Sequence, residues 1–511
     1  MILIRIRKAV SGFLLLLFVM LFAGGEEIAT FLAGILPPFQ FVPALLRTIS
    51  HPAALFAFGL LFIALITLVF GRVYCSFLCP LGALQDVFGA LGRKLGLRSD
   101  FSFSKPHNAL RYTIMAITFA ALAIGLMSVV ILLDPYSIAG RFFSYFLQPV
   151  FVWTYNLSIL LLKPFDIYLY PKQTAVIPLP DTLIAAVFLT MIVYLSVKHG
   201  RLYCNTVCPV GSVLGLLARV SIFKLSLNQA RCKECERCEN VCKANCINPH
   251  LAVVDMSRCV ACFNCLAACS QSTIRYRLAW RKTNPPTWSP ARRRFVIGGI
   301  AAAAALLFAW NHRLRHLTGI ARTRVDQPVT PPGSLNLSRF TQACTACSLC
   351  VAACPTSVLA PSFGDYGPAG LMQPKLNFEK SYCEYECHVC GRVCPTGAIT
   401  QLSLDEKKLT QIGEAKLLED VCVVYVDHNN CGACGEVCPT HAIRFVDKEN
   451  ILYPEIDTRY CIGCGACQLA CPTTPRSIVV NPHPVHKKAD KYIMPDLPAE
   501  PARIEDRDFP F

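Results

Sequence analysis

The residues of this chain that hold the most chemistry are its 29 cysteines, which fall in tight runs rather than scattered pairs. Such runs point to metal ligation ahead of disulfides. Cys232, Cys235, Cys238 and Cys242 form one run and Cys259, Cys262, Cys265 and Cys269 another, each reading C-x2-C-x2-C-x3-C. A loop with this spacing wraps three thiolates round an iron–sulfur cubane and sends the fourth to a neighbouring cluster. The crossing assigns Cys232, Cys235, Cys238 and Cys269 to one cluster, and Cys259, Cys262, Cys265 and Cys242 to the other. Zinc is the alternative, but its sites pair two short knuckles rather than three evenly spaced thiols and a fourth. Lys243 follows Cys242 where proline is expected, and the surplus Cys246 reads as a small buried residue rather than a ligand.

A second block carries four further runs. Cys344, Cys347, Cys350 and Cys354 precede Pro355, and Cys461, Cys464, Cys467 and Cys471 precede Pro472, both with the ferredoxin spacing. Cys383, Cys387, Cys390 and Cys394 have three residues in the first gap instead of two. Cys431, Cys434 and Cys438 lack a first member unless Cys422 supplies it, and that role is assigned to Cys422 here. Six runs of four then use 24 of the 29 cysteines, enough for about six 4Fe-4S clusters. Thr396–Ile399 and Thr440–Ile443 are expected to begin the short strands of ferredoxin hairpins. No C-x-x-C-H occurs, so covalent haem c is not expected.

Four more cysteines belong to an internal repeat. Arg72-Val-Tyr-Cys75-Ser-Phe-Leu-Cys79-Pro-Leu-Gly and Arg201-Leu-Tyr-Cys204-Asn-Thr-Val-Cys208-Pro-Val-Gly match at Arg, Tyr, both Cys, Pro and Gly. The i, i+4 spacing puts each cysteine pair on one helix face, and Pro80 and Pro209 end or kink the helices. Two such helices packed together would bring four thiols to one place at the cytoplasmic membrane surface. A redox or metal relay is one reading of Cys75, Cys79, Cys204 and Cys208, and their candidate catalytic role rests on it; packed thiols or a disulfide is the other.

The elements that must position these thiols are in part membrane helices. Hydrophobic residues make up 54% of the chain and mean hydropathy is +0.44, more than a water-soluble enzyme carries. Five apolar stretches are helix candidates: 9–23, 53–70, 113–133, 182–197 and 295–310, the last short for a span of roughly 17 to 25 residues. Arg5, Arg7 and Lys8, then Arg72, Arg93, Lys94, Arg98, Lys105 and Arg111, then Lys198 and Arg201 place their loops in the cytoplasm by the positive-inside rule. This accounts for much of the +16 formal charge, and no basic stripe with interleaved aromatics suggests nucleic acid. The first four stretches form a bundle with both ends inside. Residues 146–162 read as an interfacial or re-entrant helix.

The expected architecture is a membrane α-helical bundle of four spans plus a fifth anchor helix, with two α+β ferredoxin-like iron–sulfur modules. Its parts are a four-helix membrane domain (1–225), a cytoplasmic double ferredoxin (226–280), a basic linker with anchor helix (281–312), a four-cluster polyferredoxin (340–480) and an extended tail (481–511). Arg292-Arg293-Arg294-Phe295 before an apolar run looks like an internal twin-arginine export signal, which would make the second module periplasmic. Arg313, Arg315, Arg322 and Arg324 oppose that orientation.

On these residues the chain resembles the quinol dehydrogenase pair of periplasmic nitrate reduction, NapH and NapG, joined in one polypeptide. Residues 1–280 are similar to NapH and residues 290–480 to NapG; the first part is also similar to the membrane portions of NosR and MauN. The resemblance implies a bacterial inner-membrane protein that takes electrons from menaquinol or ubiquinol and passes them to a periplasmic reductase or cytochrome. It also implies a cluster pairing that joins the first run of the second module to its fourth and the second to the third. The runs at Cys383 and Cys422 depart from the NapG pattern, and no nitrate-reductase catalytic module is present.

The leading expectation is electron transfer between the quinone pool and an external redox partner, as a quinol dehydrogenase component. Glu26, Glu27 and Asp134 are candidate proton acceptors near a quinone, with plain interface solvation as the alternative. A conduit from cytosolic ferredoxin to an outer acceptor and a maturation factor that keeps a partner metalloenzyme reduced are the competing functions.

Overall fold

The computed structural model describes residues 2–50, 54–97, 101–166, 168–271, 273–278 and 327–492. The apolar stretch 295–310, the Arg292–Arg294 run and the arginines from 313 to 324 lie outside the described residues.

Apolar runs without internal proline make helices here, and breaks fall where glycine or proline intervenes. Helix α1 (Ile2–Ala23) is followed by α2 (Glu26–Ile35) and α3 (Phe41–Ser50), a pair bent by 92° around Pro37 and Pro38. Helix α4 (Ala54–Phe70) leads to the short α5 (Tyr74–Phe77) and to α6 (Pro80–Lys94), which starts at a proline. The stretch 113–133 is not one helix. α7 (Asn108–Ile124) stops at Gly125, whose φ of +79° suits glycine, and α8 (Met127–Leu133) restarts beyond it. Then come α9 (Pro135–Phe142), a π-helical turn (Phe143–Leu147), α10 (Gln148–Leu162), α11 (Leu179–His199) and α12 (Pro209–Ala218).

By length and composition, Ile2–Ala23, Pro135–Phe165 and Leu179–His199 could each cross a membrane, as could 26–50 if the bent pair counts as one span; α4 and α7 are shorter, at 17 residues each. The outward faces are apolar, with Phe13, Leu16, Leu61, Leu65, Ile117 and Val187 all exposed. A belt of that kind fits lipid contact rather than water.

The two iron–sulfur modules sit at opposite ends of α1, α4, α7 and α11. At one end Tyr276 Oη donates to Phe70 O (2.9 Å), Arg111 Nη2 to Ser257 O (3.0 Å) and Arg201 N to Lys243 O (2.7 Å). At the other, Gly125 packs on Gln342 and Arg47 on Gly397, and Ser50 Oγ donates to Thr396 O (3.3 Å). Three residues one turn apart follow the same loop of the second module: Gly140 abuts the Cys347 carbonyl, Ser144 Oγ donates to Ser348 O (3.2 Å) and Gln148 Nε2 to Ala352 O (2.8 Å). The helix from 135 to 165 therefore lies along that module, and α10 beyond it buries no residue.

The first module opens at β1 (Phe223–Leu227), slightly before the expected 226. It contains the hairpin β2 (Ile247–Asn248) and β3 (Val253–Val254), and β4 (Ile274–Leu278) returns antiparallel to β1. The second is described from 327, not 340. It pairs β5 (Leu359–Ser362) with β6 (Gln373–Leu376), β7 (Thr410–Leu417) with β10, and β8 (Ile443–Lys448) with β9 (Ile451–Ile456). Two expectations fail here. Residues 396–399 form bends, not a strand, because Ala398 and Ile399 turn inward as core while the Thr400 amide bonds Gly333 O. The extended tail expected from residue 481 is, in its first part, a strand of the module: β10 (Ile478–Lys488) pairs with β7, with a register shift between Pro482 and Lys487 that accommodates the prolines.

Candidate metal-cluster sites

The regular runs share a backbone shape that their spacing alone does not spell out. In each, the residues on both sides of the second cysteine have left-handed backbone: Glu234 and Glu236, Ala261 and Phe263, Ala346 and Ser348, Gly463 and Gly465. For a non-glycine residue this costs about 1–2 kcal/mol, and what it achieves is a loop that curls its amides and thiols round a concave space. The runs at Cys383 and Cys422 lack this paired signature, in line with their irregular spacing.

Cavities and neighbouring thiols show which runs come together. Cys438, Cys461, Cys464 and Cys467 line one cavity, Cys354, Cys383, Cys387 and Cys390 a second, and Cys422, Cys431, Cys434 and Cys471 a third. Cys394 is the electrostatic neighbour of Cys344, Cys347 and Cys350. The first run thus meets the second and the third meets the fourth, which corrects the expected pairing of first with fourth. The reason is chain economy, since each exchange closes within one compact loop pair. In the first module Cys238 has Cys269 and Cys232 as neighbours, and Cys262 has Cys242 and Cys259. Cys422 stands where a first member was needed. Cys246 is buried with its Sγ 3.6 Å from Cys242 Sγ.

Burial pushes Cys262 up to about 11 and Cys464 up to about 12, so as bare thiols these two would be neutral. Cys471 differs, because hydrogen bonds from Ser477 and Thr473 overcome burial and bring it down to about 7. Metal ligation is the general means of keeping buried thiolates ionised. Among the described residues no group of His, Cys, Asp or Glu is gathered closely enough for a single ion, whereas a cubane spreads its ligands over a larger cage.

The repeat brings Cys75, Cys79, Cys204 and Cys208 together, all buried and none in a disulfide. Its two halves are reciprocal. Arg72 Nη2 donates to Cys204 O (2.9 Å) and Arg201 Nη1 to Cys75 O (3.1 Å). Gly82 lies against Cys75 O and Arg201, and Gly211 against Cys204 O and Arg72, so a side chain at either glycine would collide with both. Cys79 and Cys208 are the N-caps of α6 and α12, and Cys208 Sγ accepts from Gly211 N at 3.3 Å.

Sequence reasoning did not foresee the buried charge around these thiols. Arg72, Arg111 and Arg201 are among the largest fully buried side chains. Asp86 meets Arg7 (2.5 Å), Arg201 (2.9 Å) and Lys243 (2.9 Å); burial works to raise its carboxyl, but the three cations outweigh it and hold it well below the usual carboxylate range. The signal was the arginine at the same position in both repeat halves. Of the candidate proton acceptors, Asp134 is buried as the N-cap of α9, accepting from Ser137 N (2.9 Å) and Ser137 Oγ (2.7 Å). Glu26 and Glu27 are exposed in the first turn of α2, where the helix dipole favours acids.

Comparison with known proteins points to the same iron–sulfur chemistry. A 4Fe-4S binding domain model matches residues 51–98, 181–228 and 389–410, and a 4Fe-4S dicluster domain model matches 343–398, which holds the first two runs of the second module, and 429–474, which holds the fourth run and Cys431, Cys434 and Cys438 of the third but not Cys422. The ferredoxin-type protein NapH of Haemophilus influenzae is 26% identical over 235 residues, 44% of this chain and 69% of NapH. The ferredoxin-type protein NapF of Escherichia coli is 30% identical over 159 residues, 31% of this chain and 88% of NapF. YccM of Escherichia coli is 24% identical over 219 residues, 42% of this chain, and the chain spans about half of its length (53%). No solved structure matches.

Proposed function

Because this chain belongs to the NapH/NapG-type family of 4Fe-4S membrane ferredoxins, we propose that it passes single electrons between the quinone pool and a redox partner on the far side of the bacterial inner membrane. About six 4Fe-4S clusters carry them. Their ligands are Cys232, Cys235, Cys238 and Cys269; Cys242, Cys259, Cys262 and Cys265; and the four exchanged sets of the second module. The observation that carries this reading is one continuous buried core that contains Cys238, Cys242, Cys259, Cys262 and Cys265 at one end of the bundle and Cys344, Cys347 and Cys350 at the other. Buried redox groups strung through one packed core suit electron transfer. The first module is cytoplasmic in this reading, the second periplasmic, and the outer partner is a reductase or cytochrome.

A second source of electrons has its own support. Cys235 is exposed, so the outermost cluster of the first module is open to a soluble donor such as cytosolic ferredoxin. Adding a menaquinol analogue to the oxidised protein and following its clusters by EPR separates the two readings. The quinone-linked reading expects cluster signals to appear with quinol; reduction by ferredoxin alone would replace it with the conduit.

A further inference from the structure

A cleft runs between α6, α9 and α11. Leu84 and Phe88 of α6, Ile138 and Phe142 of α9, and Phe188 and Leu189 of α11 line it, and Arg141 is the one charged residue in its wall among the described residues. Phe88, Phe142, Phe188 and Leu189 are half-buried, and Val187, beside Phe188, is exposed on the apolar belt, so the cleft opens on the lipid side.

Its polar groups are short of partners. Arg141 is buried, and Nη2 donates to Ile131 O (2.8 Å), but Nη1 has no partner among the described residues. Asp181 is fully buried one turn before Ala185, which lines the cleft, and has Arg141 as an electrostatic neighbour. Neither oxygen of its carboxylate accepts from another described residue. Leaving buried charged groups short of hydrogen bonds is unfavourable. A lipid acyl chain in the cleft satisfies neither group. A ligand with an apolar body, an oxygen that accepts from Arg141 and a hydroxyl that donates to Asp181 satisfies both.

The cleft also lies on the electron path. Leu81, two residues after Cys79, lines one end, and Tyr203, beside Cys204, is an electrostatic neighbour of Arg141. At the other end Gly140, next to Arg141, abuts the Cys347 carbonyl, and Tyr145, one turn on, accepts from Ser348 Oγ (3.2 Å). Cys347 is itself an electrostatic neighbour of Arg141.

We propose that this cleft binds the ring of a quinone or quinol, with Arg141 Nη1 donating to one ring oxygen and Asp181 accepting a hydroxyl proton from the reduced form. This rests on the quinone-linked reading and gives it a place in the molecule. Oxidation of the quinol breaks its two O–H bonds and yields the quinone, two protons and two electrons. Asp181 takes the first proton and hands it on to water before the second. The electrons leave singly to the cluster ligated by Cys344, Cys347, Cys350 and Cys394, from which they reach the clusters of either module.

The test uses the full chain purified anaerobically, with an azido-ubiquinone photolabel to read binding and a short-chain ubiquinol to read reduction by EPR. The label should attach to peptides of α6, α9 or α11. Arg141→Gln removes a charged hydrogen bond and Leu189→Trp fills the cleft, and each should weaken labelling about tenfold or more. Asp181→Asn should keep the labelling and slow reduction by ubiquinol by at least about a hundredfold. Iron content and reduction of every cluster by dithionite report folding and should match the wild type in all three. Label attached elsewhere in the folded chain, or labelling and ubiquinol reduction that are the same in wild type, Arg141→Gln and Leu189→Trp, would overturn the site and leave the quinone-linked reading standing. A wild type that takes up no label and gives no cluster signal with ubiquinol would overturn both.

Discussion

At the scale of single residues, position relative to a ligand sulfur decides what a cysteine does. Cys246 is buried with its Sγ 3.6 Å from Cys242 Sγ. A thiol that keeps its proton there donates a weak hydrogen bond to the ligand, and such bonds favour the reduced, more negative cluster. Cys246→Ala should therefore lower the midpoint potential of one first-module cluster by roughly 40 mV, taking about 1 kcal/mol for the bond and 59 mV per tenfold for one electron. An EPR-monitored redox titration reads this directly. An unchanged potential would make Cys246 mere packing, and loss of the cluster would make it a ligand. The spacing of the cysteines marks the six runs in the sequence. What it could not show was the environment, because the buried Arg72, Arg111 and Arg201 lie far in sequence from most of the groups they meet, and nothing local distinguishes them from the basic flanks of a membrane helix.

At the scale of elements, periodicity and composition locate helices well and their interruptions less well. Gly125 splits one apolar stretch into α7 and α8, and the prolines of β10 suggested an extended tail although they sit at a register shift on an edge strand. That strand carries a pH-sensitive contact. His486 faces Thr330 Oγ1 across 2.8 Å and its amide bonds Leu335 O, and burial, helped by His483, pulls its imidazole down to about 4. With the folded value below the unfolded one of about 6.5, the neutral ring stabilises the fold at neutral pH. That contribution, on the order of 2 kcal/mol, shrinks as pH falls below 6.5 and is gone below about 4. Thermal unfolding of the full chain should show a fall in stability across that window, and His486→Gln should flatten it. A wild-type profile with no slope between pH 6.5 and 4 would contradict the assignment.

At the scale of the whole molecule, the arrangement is a helical bundle with an iron–sulfur module on each end and the four repeat thiols buried beside the first module. The two-fold repeat was readable in sequence, as was the division into two cysteine blocks; the exchange of ligands between consecutive runs was not, because spacing fixes a loop and not its partner. The proposed function requires electrons to cross from one module to the other inside the protein. The most direct measurement reconstitutes the oxidised chain in sealed vesicles, adds membrane-impermeant dithionite outside, and follows by EPR the clusters on the enclosed side. Enclosed clusters are expected to become reduced in the wild type. Enclosed clusters that remain oxidised in the wild type, while those facing the reductant are fully reduced, would contradict it.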